Sequence, residues 1–181
     1  MPYPNKESNV LDLFFNEPTK HWHFKDIVKK AKISEQRANY WLRQFSKQKL
    51  IKHTKPKGKM PYFIAEHNLP WYRNKKRIYA LNRMLETGLL NKLQSLKNAK
   101  TVVIFGSFAR SDWNTNSDID VFIYGDPEDL RFGTRWLRRE VTVHTYRTKK
   151  EIKEIKSGLI NNVVKGYFVK GSVHDLVEIS A

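Results

Sequence analysis

The stretch from Thr101 to Tyr124 limits what this chain can fold into more than any other. Thr101-Val-Val-Ile-Phe105 is a continuous β-prone run that stops at Gly106-Ser107, with Phe108-Ala109-Arg110 behind it. A second run, Asp118-Ile-Asp120-Val-Phe-Ile-Tyr124, opens with two acids separated by one residue. On a strand, residues i and i+2 point to the same side, so Asp118 and Asp120 face one site together. Two carboxylates this close, in a strand of Val, Ile and Phe, repel each other strongly unless a cation lies between them. Mg2+ suits that place, with Mn2+ as the alternative, because it takes hard oxygen ligands and keeps part of its shell for water and substrate phosphates. Gly106 ends its strand where a side chain would obstruct an approaching phosphate, and Ser107 adds a hydroxyl beside backbone N–H groups, so the pair can cradle a triphosphate.

Gly106-Ser107, ten residues, Asp118, one residue and Asp120 make a GSx10DxD pattern. With Arg110 and the string Ser117-Asp-Ile-Asp120 in the same order and spacing, residues 101–146 resemble the minimal nucleotidyltransferases of the DNA-polymerase-beta-like superfamily. The resemblance implies that Gly106 and Ser107 hold the β and γ phosphates of an NTP and that Asp118 and Asp120 bind the metal. Arg110 either steadies the triphosphate or fixes its loop through a salt bridge. In such enzymes an acceptor hydroxyl attacks the α phosphate and pyrophosphate leaves, which calls for a third acid on a later strand. The strand is Glu140-Val-Thr-Val-His-Thr-Tyr146, and the expected slot falls on Thr142, which is neither an anionic ligand nor a base near neutral pH. Glu140, two residues earlier on the same face and longer in reach, joins Asp118 and Asp120 as the catalytic set; the other reading pairs it with Arg138 or Arg139. His144, two residues later, is either a base or a packed strand residue. Ser111 stands where relatives often carry Gly. Beyond Tyr146, Thr148 can cap a charged helix through Lys156, followed by an apolar segment over 159–164 and a stretch over 167–169; His174, Asp175 and Glu178 either bring another acid to the site or, as is usual for terminal acids, are solvated.

The first half reads as three helices and a hairpin. Ser8 can cap a helix with Val10, Leu13 and Phe14 on one face. Phe24, Ile27, Val28 and Ala31 form a second apolar stripe, and Ser34 caps a third helix that buries Ala38, Trp41, Leu42 and Phe45. Gln36, Asn39, Tyr40, Arg43 and Lys47 then project from the opposite side of that helix. Leu50–Thr54 and Tyr62–Ala65 read as strands around Lys55-Pro-Lys57-Gly-Lys59, a basic tip of turn residues. Helix, helix, helix and basic hairpin resemble a winged-helix DNA-binding domain over residues 8–66. That resemblance implies base contacts from Gln36, Asn39, Tyr40 and Arg43, with Lys47 on the same face, and phosphate contacts from Lys55, Lys57 and Lys59. Such domains also serve as protein-interaction or dimerisation modules. Asn68 and Pro70 start a long helix with apolar positions Trp71, Ile78, Leu81, Leu85 and Leu89, interrupted near Gly88.

Charge separates the halves. Residues 1–100 hold 22 Lys and Arg against 7 Asp and Glu, whereas residues 101–181 hold 12 against 11. Fifteen of the sixteen excess positive charges therefore lie with the helical half, where DNA or RNA would be attracted by phosphate neutralisation. The absence of cysteine removes disulfides, zinc knuckles and thiol nucleophiles. No apolar run approaches the roughly 20 residues that span a bilayer, and no signal peptide is apparent, so the expected location is the cytoplasm. The expected class is α+β: a winged-helix domain over 1–67, a linking helix over 68–98, and a small mixed-sheet nucleotidyltransferase domain over 99–181. Two functions follow. One is a Mg2+-dependent enzyme moving NMP, most simply AMP, from an NTP to an unidentified acceptor. The other is a DNA-binding regulator or antitoxin-like protein with a nucleotide-binding but catalytically degenerate domain, the reading that Thr142 favours. Some minimal relatives pair with HEPN-type ribonuclease toxins, and the linking helix suits a homodimer; no single residue points to the toxin.

Overall fold

The computed structural model describes residues 6–128, 130–132 and 136–177. By its internal contacts the chain divides into two units, residues 1–76 with 113–115, and residues 77–112 with 116–181.

In the first unit, α1 (Lys6–Asn16), α2 (Phe24–Ala31) and α3 (Glu35–Lys47) precede the antiparallel pair β1 (Ile51–Thr54) and β2 (Tyr62–Ala65). Ser34 caps α3 as expected, its hydroxyl accepting from Arg37 N. Ala38, Leu42 and Phe45 are buried and Trp41 is half-buried, while Gln36, Asn39, Tyr40, Arg43 and Lys47 are exposed. The reading of α1 needs correcting: the helix already includes Lys6, so Ser8 lies within it, and the buried face is Val10, Leu11, Phe14 and Phe15. Trp22 exchanges both backbone hydrogen bonds with Phe63, at 2.9 and 2.8 Å, and adds a short third rung to the hairpin. Lys55, Lys57 and Lys59 stand exposed at the hairpin tip.

Helix α4 (Pro70–Glu86) gives residues 70–76 to the first unit and 77–86 to the second. The apolar positions read in the sequence do not share one environment: Leu81 is half-buried and Leu89, beyond Gly88, is buried. Trp71, Ile78 and Leu85 are 57%, 56% and 54% exposed, and the buried positions are Tyr72, Lys76, Ala80 and Met84, four residues apart. The reason is chemical. Within the first unit, Tyr72 donates its hydroxyl to the Phe14 carbonyl at 2.8 Å, and Lys76 donates to the Trp113 carbonyl while lying 4.2 Å from that indole ring. A lysine so satisfied can occupy an inward stripe that hydrophobicity alone denies it. Gly88, at φ +82°, ends this run and α5 (Leu89–Gln94) begins.

The second unit is built on one sheet. β3 (Ala99–Phe105), β4 (Ile119–Gly125), β5 (Val141–Tyr146) and β6 (Tyr167–Lys170) lie in the order β5-β4-β3-β6; β4 and β5 are parallel and the other pairs antiparallel. Between them come α6 (Gly106–Arg110), α7 (Lys149–Lys153) and α8 (Ser157–Val163). The cross-strand rows Val103, Phe122, His144 and Phe105, Asp120, Thr142 place these side chains on one face. Val103, Phe105, Phe122 and Tyr124 pack there with Ile152 of α7, Val163 of α8 and Leu176. That apolar face ends at the Asp120 row. On the other side, Ala80, Leu81 and Met84 meet Ile104 and Phe108 around a cavity of about 180 Å³ that includes none of Gly106, Ser107, Asp118 and Asp120. Among the described residues no helix is long and apolar enough to cross a membrane.

Candidate active site

The site is assembled by one turn and two adjacent strands. β3 ends at Phe105, and Gly106 takes φ +68° to start α6, a backbone that L side chains rarely adopt. A Cβ on Gly106 would also come within 3.1 Å of the Asp120 Cγ and closer still to its carboxylate oxygen. Glycine is therefore required twice over, and the turn expected to cradle phosphates lies directly against an expected metal ligand. Ser107, half-buried, follows in α6.

Asp120 is half-buried and Asp118 exposed. Burial pushes the Asp120 carboxyl above the usual carboxylate range and the charge of Asp118 adds to the rise, against opposing pulls from His144 and Arg110. The geometry thus unites Asp118, Asp120, His144 and Arg110 in one electrostatic neighbourhood. Two carboxylates, one disfavoured as an anion, suit a divalent cation. Among the described residues no group of three or more His, Asp and Glu gathers as a metal cage; Asp118 and Asp120 would suit Mg2+ only as a pair, since it takes one or two carboxylates when substrate phosphates complete its shell.

The parallel register sets Asp120 beside Thr142 and Phe122 beside His144. Thr142 therefore occupies the position next to Asp120 on the third strand. Glu140 is exposed and immediately precedes β5; its carbonyl accepts from Ile119 N at 2.9 Å, and the register continued by one residue sets it opposite Asp118. His144 packs edge-to-face on Phe105 with centroids 5.4 Å apart, so it is a packed strand residue that also faces Asp120. Arg110 pairs with Asp112 at 2.9 Å, both exposed. Ser111 takes φ +65° as the left-handed cap of α6, which explains why glycine suits that position.

Arg139 was expected only as a partner for Glu140. It is instead 9% exposed and donates through Nη1 to the Ser117 carbonyl at 2.5 Å. Asp175 is held at the other end of β3, accepting from Thr101 Oγ1 at 2.8 Å and Ser172 N at 2.7 Å, and the Ser172 backbone N–H first, then the Thr101 hydroxyl, hold its carboxyl below the usual range. Thr101 pairs with Tyr124 and Phe105 with Asp120, so Asp175 belongs to the end of the sheet away from the acids. Glu178 lies outside the described residues. In the first unit His21 stacks on Tyr62 with centroids 3.8 Å apart, and His23 Nδ1 lies 2.9 Å from the Pro61 carbonyl.

No curated protein and no solved structure matches the chain. A family model described as the nucleotidyltransferase domain matches residues 87–178, a span that contains the turn, all four strands of the larger sheet and both aspartates. That match covers half of the chain, and the protein belongs to the nucleotidyltransferase domain family, whose general function is nucleotidyl transfer.

Proposed function

We propose that the protein is a divalent-metal-dependent nucleotidyltransferase that moves NMP, most simply AMP, from an NTP to an acceptor hydroxyl, and that its first unit is a winged helix that binds nucleic acid. The observation that carries the first part is the abutment of Gly106 on the Asp120 carboxylate, which supports reading turn and acid as parts of one phosphate- and metal-binding site. Gly106 and Ser107 receive the β and γ phosphates, with Arg110 as a further cation at the rim once it leaves Asp112. Asp118 and Asp120 hold Mg2+ or Mn2+. When bound there, the metal neutralises phosphate charge and polarises the phosphoryl group. The acceptor oxygen bonds to the α phosphorus, the bond to the β-phosphate bridging oxygen breaks, and pyrophosphate carries away the electron pair. The acceptor proton passes to Glu140, which the continued register sets opposite Asp118.

Thr142 beside Asp120 favours a second reading, a nucleotide-binding regulator without turnover. Incubation with each labelled NTP, Mg2+ and cell extract separates the two. Label transferred to an acceptor supports the enzyme, binding without transfer supports the regulator, and no NTP binding refutes both.

Three observations support the nucleic-acid reading of the first unit: the exposed polar face of α3, the basic hairpin tip, and the excess of 17 Lys and Arg over 6 Asp and Glu in residues 1–76. Duplex DNA should bind the full chain with steep salt dependence. Replacing Lys55, Lys57 and Lys59 together with Ala should flatten the slope of log K against log salt by up to about 0.9 per lost phosphate contact. An unchanged slope removes the hairpin from the interface.

A further inference from the structure

We propose that Arg139 is the positioning residue of this site, holding Asp118 and the Gly106-Ser107 turn in mutual register. The inference rests on the nucleotidyl-transfer reading. Its guanidinium is buried and donates to the Ser117 carbonyl at 2.5 Å, one peptide before Asp118. The same guanidinium lies 5.3 Å from the centroid of the Phe108 ring, and Phe108, itself buried, is the residue after Ser107 in α6. Its own backbone leads directly into Glu140, whose carbonyl accepts from Ile119 N. One side chain thus ties the turn that receives phosphate, the segment that delivers the metal acids and the entry to the third strand.

The need for such a tie follows from the fold. Residues 112–118, between α6 and β4, belong to no helix or strand, so no sheet ladder sets the Ser117 peptide. A guanidinium is suited to the task because it donates in its plane while its face rests on an aromatic ring. Lysine could keep the charge and one donor but lacks the planar face. Arg139 acts through Ser117 and Phe108 and is a positioning residue. Misplacement of a reacting group by about 1 Å can cost on the order of 100-fold in rate, so a tie of this kind has functional weight.

The test compares the full chain with its Arg139→Lys and Phe108→Leu variants by amide hydrogen exchange and by calorimetric titration with ATP, in Mg2+ and in chelator. In Arg139→Lys, amides of 106–110 and 117–119 should exchange about tenfold faster while those in the middle of β3 and β4 stay protected. The ratio of ATP affinity in Mg2+ to that in chelator should fall about tenfold, because displacing Asp118 weakens the metal-dependent part; general loosening of the unit would weaken both arms alike. Combining Arg139→Lys with Phe108→Leu should cost less than the two losses together, since both break one contact. Unchanged exchange in the two segments, or an unchanged affinity ratio in a chain that binds Mg2+–ATP, overturns the proposal. If the parent chain binds no Mg2+–ATP, the nucleotidyl-transfer reading fails, and exchange alone then decides whether Arg139 holds these segments.

Discussion

Replacing Thr142 with Asp should convert a partly built acid site into one that depends on metal for its stability. Thr142 is half-buried and directly beside Asp120 in the parallel register. Neighbouring strands run roughly 5 Å apart, and two unit charges at that distance in an effective dielectric constant of about 20 repel by about 3 kcal/mol. Asp120 already resists ionisation through burial and the charge of Asp118, so the new carboxylate adds to an existing penalty. In chelator the unit should lose stability of that order, a drop of roughly 10–20 °C in Tm for a domain of this size. Mg2+ at about 100 times its Kd returns about 2.7 kcal/mol, nearly the whole loss. Thermal melts in chelator and in graded Mg2+ read both quantities, and Mg2+ should raise Tm more in the variant than in the parent chain. Glu140→Gln is the matching control: if Glu140 already supplies the third carboxylate, it abolishes transfer while Thr142→Asp adds little. The reasoning fails if Thr142→Asp is as stable as the parent in chelator, because Thr142 then does not face Asp120. It fails equally if stability is lost and Mg2+ restores none of it.

Asp120→Asn should raise Tm near neutral pH and abolish the Tm response to Mg2+. A carboxyl whose folded-state pKa is raised binds its proton more tightly when folded, so its penalty is absent in acid, grows as pH rises from the ordinary value of 3.8, and is full above the folded pKa; melts of both chains across that range should converge at low pH. Ser111→Gly should stabilise the second unit by about 1 kcal/mol, because a left-handed residue other than Gly costs ~1–2 kcal/mol and the entropy of glycine takes back only part of that. The Ser111 hydroxyl is buried without a hydrogen-bond partner, so urea unfolding should show no offsetting loss.

The strands were legible from their β-prone runs, but side-chain alternation reaches only Asp120, because β4 begins at Ile119 and Asp118 precedes it. The position of Thr142 beside Asp120 was not legible in the same way, because the parallel register that puts it there arises from pairing between segments some twenty residues apart. Ser34 was legible as a cap because capping is local. The inward face of α4 was not, because Lys76 is buried by a carbonyl and an indole ring 37 residues further along, and no periodicity within the helix contains that partner. Arg139 escaped for the same reason. Beside Arg138 and Glu140 it reads as half of a surface ion pair, and only the fold brings Ser117 and Phe108 to it.

The crowding at Gly106 and the raised pKa of Asp120 have one origin. Packing a backbone turn against a carboxylate excludes the water that would otherwise solvate the anion, which is why burial is the largest cause of the shift. Without a counter-charge the arrangement holds a carboxyl that resists ionisation against the Gly106 turn. On the proposed reading, a metal would supply the missing counter-charge and phosphate oxygens would supply acceptors for the turn. Metal and nucleotide would then bind as one event at this site, each strengthening the other by the same free energy. On that reading the reciprocity holds whether or not transfer follows, so threonine at position 142 would bear on turnover and not on the coupling of metal to nucleotide.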